Sequence, residues 1–370
     1  MERRAWIRVD LDTFIENVRR IRRHTRKPFM ATVKANCYGM GAVAISRAIE
    51  NEVDSFGVAT LAEACELRDA GIRKPVLVLG TILPRDVEEA VSRDVSFTVC
   101  ERGLLRAADR IARRAGRQAK IQIKVDTGMG RIGVRPEEAP ALVGEALSLR
   151  AVRLEGIFTH FAVAEWSDRR YTRQQADRFR QVVCSLGNAC QGIALHVANS
   201  AAVLNHPDIC RRFGDVRIGL LPFGVYPDRR LARRLALAPV LSGFCRILFV
   251  KEVEKGTRLS YGLTFRAPGT MRVATLGVGY ADGLCRALSN RFAVCVGGRK
   301  AAIVGNICMD QTLIDVTGIP VKTGDTVTLF GRRGDIEAMA EIAGTVPQEI
   351  LCGLGWSRME KEYVGGKRRT

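Results

Sequence analysis

Between residues 29 and 221 the chain alternates eight times between short apolar runs rich in β-branched residues and longer segments with helical periodicity. The runs fall at 29–34, 55–60, 75–80, 95–100, 120–126, 153–160, 193–198 and 216–221. Helical patterns such as Leu61–Arg68 and Tyr171–Leu186 separate them. A crossover of helical length returns the chain in its original direction, so strands joined this way pair in parallel. Eight such units in succession predict a closed (β/α)8 barrel rather than an open sheet.

After about residue 236 the texture changes. Apolar runs recur at shorter spacing, at 241–252, 270–279, 292–296, 299–316 and 325–330, punctuated by Gly and Asp. This predicts a mostly antiparallel β domain, interrupted near its end by an amphipathic helix over Asp335–Ile342. The expected division is a barrel at 10–236 and a β domain at 237–370, with the hinge in Pro227–Arg234. The strand expected in residues 1–9 lies outside the barrel count and is expected to join the second domain.

A chain of 370 residues that is 47% hydrophobic can bury a sizeable core. No apolar run reaches membrane-spanning length, and Met1–Trp6 carries charges without the apolar segment of a signal peptide. Eleven cysteines, an odd number with no C-x-x-C pair, argue against a disulfide framework or a zinc site and for a reducing cytoplasm. No metal is expected. A net charge of +19 raises nucleic acid as a partner. Yet the runs Arg19–Arg23 and Arg113–Arg114 lie in helix-like segments, and few aromatics stand beside them or beside the tail Lys367–Arg369. The charge reads as solvated helix faces, and its field attracts an anionic cofactor or substrate.

A barrel of this kind carries its chemistry at the C-terminal ends of its strands. Lys34 ends the first predicted strand, Lys124 the fifth and His160 the sixth; Asn199 and Ser200 follow the seventh, and Arg217 lies in the eighth. Lys34 opens into the small-residue turn Ala35-Asn36-Cys37-Tyr38-Gly39. Partial desolvation there makes an amine nucleophilic and suits Schiff-base chemistry. The plainer reading is a lysine snorkelling at a strand end. Loops after strands seven and eight often hold phosphate in this fold, which points to the Ser200 hydroxyl and the backbone of Gly219 and Leu220.

Three motifs of the β domain, Ser260-Tyr261-Gly262, Gly279-Tyr280-Ala281-Asp282-Gly283 and Cys308-Met309-Asp310-Gln311, each look like ordinary packing and turns. Taken in order with Val33–Gly39, Lys124–Arg131, Thr159–Ala162 and Asn199–Ala201, they make the chain resemble the alanine racemase family over nearly its whole length. These are fold-type III enzymes dependent on pyridoxal 5'-phosphate (PLP). The resemblance implies that Lys34 holds PLP and acts as one acid/base, while Tyr261 acts as the other from the opposite face. It implies cofactor contacts from Tyr38, His160, Asn199, Ser200, Arg217, the amides of Gly219 and Leu220, and Trp356. Arg217 would meet the pyridine nitrogen. Guanidinium only donates, so the ring stays a weaker electron sink, which disfavours transamination. Arg131, the Met309 backbone and Tyr280 would contact or gate the substrate, and Lys124 resembles a lysine that is carbamylated in many members. An unmodified Lys124 would repel Arg131, so a compensating anion is expected. The resemblance further implies a homodimer, with Tyr261, Tyr280 and Met309 reaching into the partner's barrel, and a role in supplying D-alanine for peptidoglycan.

The match departs from the family at four places. Cys37 stands where Ala is usual and Met40 where His is usual. Asn306 replaces an Arg, so a supporting contact is expected to be lost. In Cys352–Arg358 the position of the usual tyrosine falls on Trp356 or Ser357. The alternative this leaves open is a serine or broad-specificity amino-acid racemase.

Overall fold

The computed structural model describes residues 3–366, and the basic tail Lys367–Arg369 lies outside the described residues. The chain opens with β1 (Ala5–Asp10) and a helix over Leu11–Thr25. Asp10 caps that helix by accepting the Thr13 N–H at 2.9 Å, and Leu11, Phe14, Val18 and Ile21 form its buried stripe. On its outer face Arg19 pairs with Glu52, Arg20 and Arg23 with Glu16, and Arg22 with Asp54.

Eight parallel strands follow: β2 (Phe29–Thr32), β3 (Ser55–Val58), β4 (Val76–Thr81), β5 (Ser96–Val99), β6 (Ala119–Lys124), β7 (Val152–Phe158), β8 (Ala194–His196) and β9 (Val216–Ile218). Their spatial order is β8-β7-β6-β5-β4-β3-β2-β9, the order of a barrel laid open between its last two strands. The seam is closed by an Ala198–Val216 bridge, with Arg217 N–H donating to the Ala198 carbonyl at 2.9 Å. All eight strands coincide with the runs expected from sequence. In β2 all four residues are buried, as in a parallel strand covered on both faces.

The second sheet is built on β10 (Leu241–Val253), thirteen residues long. It contains β13 (Met271–Leu276), β14 (Ala293–Val296), β15 (Arg299–Ala302), β16 (Thr312–Asp315), β17 (Thr326–Phe330) and β18 (Glu360–Val364). β1 runs antiparallel to β10 and parallel to β18. A minimal hairpin, β11 (Arg258–Leu259) with β12 (Phe265–Arg266), stands apart. The single run read over 299–316 is two strands with different partners, because the chain doubles back: Ile303 bridges Ile314 antiparallel, and the turn between them carries Met309. The expected helix is present as Asp335–Ala343. A further helix, Pro347–Gly355, and β18 were not anticipated. No helix among the described residues is long and apolar enough to cross a membrane.

Candidate active site

Lys34 stands two residues beyond the end of β2, half-buried. The four residues after it, Ala35, Asn36, Cys37 and Tyr38, all have left-handed φ, between 51° and 56°. Non-glycine residues visit this region singly, at roughly 1–2 kcal/mol each, so four in a row must be held from outside. Glu63 does part of this. One carboxylate oxygen accepts the Ala35 N–H at 2.6 Å and the other the Ala59 N–H at 2.7 Å. Asn36 accepts the Ala42 N–H at 2.7 Å, and the Tyr363 hydroxyl donates to the Met40 carbonyl at 3.0 Å. Burial and then the Arg131 charge pull the Lys34 ammonium below the ordinary lysine value, with Glu63 opposing. Glu63 and Tyr363 escaped the sequence reading. Thr60-Leu61-Ala62-Glu63 is nonetheless a legible capping box, and both halves of it form.

The left-handed turn carries Tyr38 across the barrel mouth to the loop after β9. A Cβ on Gly219 would sit 2.1 Å from the Tyr38 hydroxyl, so glycine is required there. Ser200 Oγ accepts the N–H groups of Gly219 and Leu220 at 3.2 and 3.4 Å. Two hydroxyls and two amides therefore converge on one spot, a donor set suited to a phosphate dianion. Asn199 is adjacent, but its side chain caps the helix Ser200–Asn205 by accepting the Ala202 N–H.

Arg217 is buried beside this cluster. Its NH1 donates to His196 Nδ1 at 2.7 Å, and its NH2 to the Thr159 carbonyl at 2.6 Å and to His160 Nδ1 at 3.4 Å. Guanidinium has no acceptor, so His196 Nδ1 must be unprotonated and Nε2 carries the proton, donated to Gln122 Oε1 at 2.7 Å. Burial and the Arg217 charge keep both histidines neutral, well below the usual imidazole range. Arg217 itself is drawn down to about 9 by burial, which leaves it charged at neutral pH. Its Nε–H has no acceptor among the described residues. His196 and Gln122 were not selected from sequence, where they look like polar residues inside ordinary strands.

Lys124 is buried at the end of β6, 5.7 Å from the Phe158 ring centroid, and its ammonium has no hydrogen-bond acceptor among the described residues. Burial, then Arg131 and Arg217, pull it to about 8. Arg131 extends into solvent after the loop in which Asp126 accepts the N–H groups of Gly128, Met129 and Gly130. Cys37 is fully buried, which raises its thiol and keeps it protonated.

The remaining selected residues belong to the second sheet and its loops. Tyr261 is 74% exposed, Trp356 65%, Met309 53% and Tyr280 43%. Within one chain, the charged groups that act on Lys34 are Arg131 and Glu63, and neither is from these loops. Tyr280 and Met309 are neighbours, with Tyr280 N–H donating to the Cys308 carbonyl and Ala281 N–H to that of Met309. The Ser357 hydroxyl is occupied by the Leu354 carbonyl and the Met359 N–H, whereas the Trp356 ring is exposed and makes no hydrogen bond among the described residues. Asn306 makes a supporting contact after all, donating to the Tyr261 carbonyl at 2.7 Å. A cleft of about 720 Å³ lies between the hinge and β14 and β17, and no selected residue lines it.

A parallel barrel with a half-buried lysine at one strand mouth, beside a phosphate-type cradle, defines a (β/α)8 enzyme organised around that lysine. Residues 9–227 match the model of the alanine racemase N-terminal domain, and residues 240–363 that of the alanine racemase C-terminal domain. The chain belongs to the alanine racemase family. It is 40% identical over 369 residues to alanine racemase 2 of Caldanaerobacter subterraneus subsp. tengcongensis, covering 97% of this chain and 94% of that protein. It is also 40% identical to the alanine racemase of Halothermothrix orenii, covering 98% of each. The crystal structure of alanine racemase from D-cycloserine-producing Streptomyces lavendulae superposes with a TM-score of 0.92 at 34% identity, covering 99% of this chain and 98% of that one.

Proposed function

We propose that this enzyme interconverts L- and D-alanine with PLP, using Lys34 and the partner subunit's Tyr261 as two acid/bases on opposite faces of the substrate. The observation that carries the reading is the convergence of Lys34 with the Tyr38, Ser200, Gly219 and Leu220 donors at one barrel mouth. PLP fits the residues present. Its phosphate suits the four donors, its aldehyde suits an amine of lowered proton affinity, and its ring nitrogen suits the free Nε–H of Arg217. When bound, PLP supplies the electron withdrawal that makes the α-proton of an attached amino acid removable.

The chain's own groups then do the rest. Lys34, whose proton affinity burial and the Arg131 charge lower, takes or returns a proton at Nζ. Tyr261 does so at its phenol oxygen. Arg131 offers a rigid donor fork to the substrate carboxylate, the Met309 backbone assists, and Tyr280 gates the mouth. The exposure of Tyr261, Tyr280 and Met309 in one chain supports their acting across a homodimer, with two composite sites. Lys124, buried without an acceptor and titrating at about 8, is suited to carbamylation, which would supply the anion that orients Arg131. We further assign the barrel to 10–236 and the β domain to 237–370 with the strand in 1–9. The enzyme is cytoplasmic, its D-alanine destined for peptidoglycan.

Four experiments test this. Lys34→Ala is expected to lose the visible absorbance of bound PLP and nearly all racemisation; keeping both would sink the assignment. Tyr261→Phe should keep the absorbance and lose racemisation. Mixing the two inactive variants should restore activity, because one of the two composite sites in a heterodimer would be intact. No recovery in proven heterodimers would put both bases in one chain. Turnover of L-Ala, L-Ser and L-Lys separates alanine from broad specificity, the exposed Trp356 ring being the residue that would narrow the pocket.

A further inference from the structure

The hairpin that carries Tyr261 has only two residue pairs, Arg258 with Arg266 and Leu259 with Phe265. A two-stranded ribbon this short does not hold a shape by itself in water. Its loop is also strained. Ser260 has φ 63° and ψ −179°, a region open essentially to glycine alone, and Gly262 and Leu263 are left-handed. Every residue from Tyr261 to Thr264 is exposed, so burial does not hold the loop either.

The support comes from the Gly305–Ile307 segment and the turn at Ser289–Asn290. Asn306 Nδ2 donates to the Tyr261 carbonyl at 2.7 Å, and the Ser260 hydroxyl donates to the Asn306 carbonyl. Gly305 is left-handed, and a Cβ there would lie 2.7 Å from Ser260 Cβ and 2.9 Å from the Leu259 carbonyl oxygen. Asn290 ties the outer end of the loop: it accepts the Gly305 N–H at 2.6 Å and donates to Thr264 Oγ1 at 3.0 Å. Two asparagine amides thus grip both ends of the loop from outside it.

We propose that Asn306, seconded by Asn290, is a positioning residue that fixes the Tyr261 backbone so that its phenol is aimed for proton transfer. This rests on the two-base reading above. Side-chain direction follows from backbone φ and ψ, and a proton-transfer group displaced by about an ångström loses orders of magnitude in rate. The clamp therefore acts on the chemical step and leaves cofactor binding alone.

The test uses the PLP-loaded enzyme. Asn306→Asp keeps the shape but removes the donor, turning an attraction to the Tyr261 carbonyl into a repulsion; Asn290→Gly, which suits the left-handed backbone there, removes the ties to Gly305 and Thr264. The expected result for Asn306→Asp is faster amide hydrogen exchange confined to residues 259–264, with the PLP absorbance unchanged. We expect kcat to fall about tenfold or more with KM within about twofold, and the α-deuterium isotope effect to rise for one alanine enantiomer only. Asn290→Gly should show the same pattern more weakly. Unchanged exchange, or a kcat equal to wild type, would overturn the clamp. So would loss of PLP absorbance together with a general fall in Tm, which would mean a merely structural role. Tyr261→Phe separates the two levels. If it is fully active, the two-base reading fails; if it is inactive while Asn306→Asp is fully active, only the clamp fails.

Discussion

Gly39 and Gly355 meet backbone to backbone. A Cβ on Gly355 would lie 2.5 Å from Gly39 Cα and 2.6 Å from the Tyr38 carbonyl oxygen, and one on Gly39 would lie 2.6 Å from Gly355 Cα. The helix Pro347–Gly355 thus presses its last residue against the loop that carries Tyr38 to the phosphate-type cradle. Main chain cannot move aside as a flexible side chain can. Gly355→Ala is expected to cost about 1–3 kcal/mol of stability and to weaken PLP binding by shifting Tyr38. Unfolding by denaturant and titration of the apoenzyme with PLP check both; unchanged affinity would separate this contact from the cradle.

Tyr38 and Ser200 are expected to act on the cofactor phosphate alone. A hydrogen bond to a charged group contributes about 1.5–3 kcal/mol, so Tyr38→Phe and Ser200→Ala should each raise the PLP dissociation constant by roughly tenfold to a hundredfold. At saturating PLP, kcat should change little. Reconstitution followed by visible absorbance measures the first and steady-state rates the second. A large fall in kcat at saturation would give these residues a part in the chemistry.

His196 joins Arg217 to Gln122 through two bonds of 2.7 Å, and both are buried. Gln122→Leu removes the acceptor of the Nε2–H and strands a buried donor, at about 1–3 kcal/mol of stability. Denaturant midpoints check the loss. A negligible change would mean that the Nε2–H finds another acceptor.

Lys124 makes stability depend on pH. In the folded chain it releases its proton at about 8, whereas in the unfolded chain it does so at the ordinary lysine value of about 10.4. Between these values the unfolded chain binds more protons, so stability rises with pH across that window; below it the cost of holding the buried charge is fully present. In carbon-dioxide-free buffer, Lys124→Met should flatten this rise and stabilise the protein at neutral pH. Adding bicarbonate to wild type should do the same by carbamylation, seen as a mass gain of one carbon dioxide. A pH dependence identical in wild type and Lys124→Met would assign the effect elsewhere.

The barrel was legible because its signal is local. Each of the eight strands is a short apolar run and each crossover a helical pattern, and neither needs knowledge of its neighbours. The same locality located Lys34, Lys124, His160, Ser200 and Arg217, since in such a barrel the reactive ends of strands are known once the strands are. The run at 299–316 was misread for the same reason: hydrophobic periodicity continues through β15 and β16 while the chain folds back on itself, and periodicity carries no sign of direction. The helix Pro347–Gly355 was missed because its glycines at 353 and 355 weaken its helical pattern.

What the amino-acid order determined by itself, then, is the alternation that makes a barrel and the chemical types standing at its mouth. Only the tertiary structure decided which groups meet: Glu63 with the amide after Lys34, His196 between Arg217 and Gln122, Gly39 against Gly355, and Asn306 on the Tyr261 carbonyl. The division has a physical cause. Strand and helix formation respond to burial patterns a few residues long. These contacts join distant segments through single hydrogen bonds or van der Waals limits, and they exist only once the chain has closed around them.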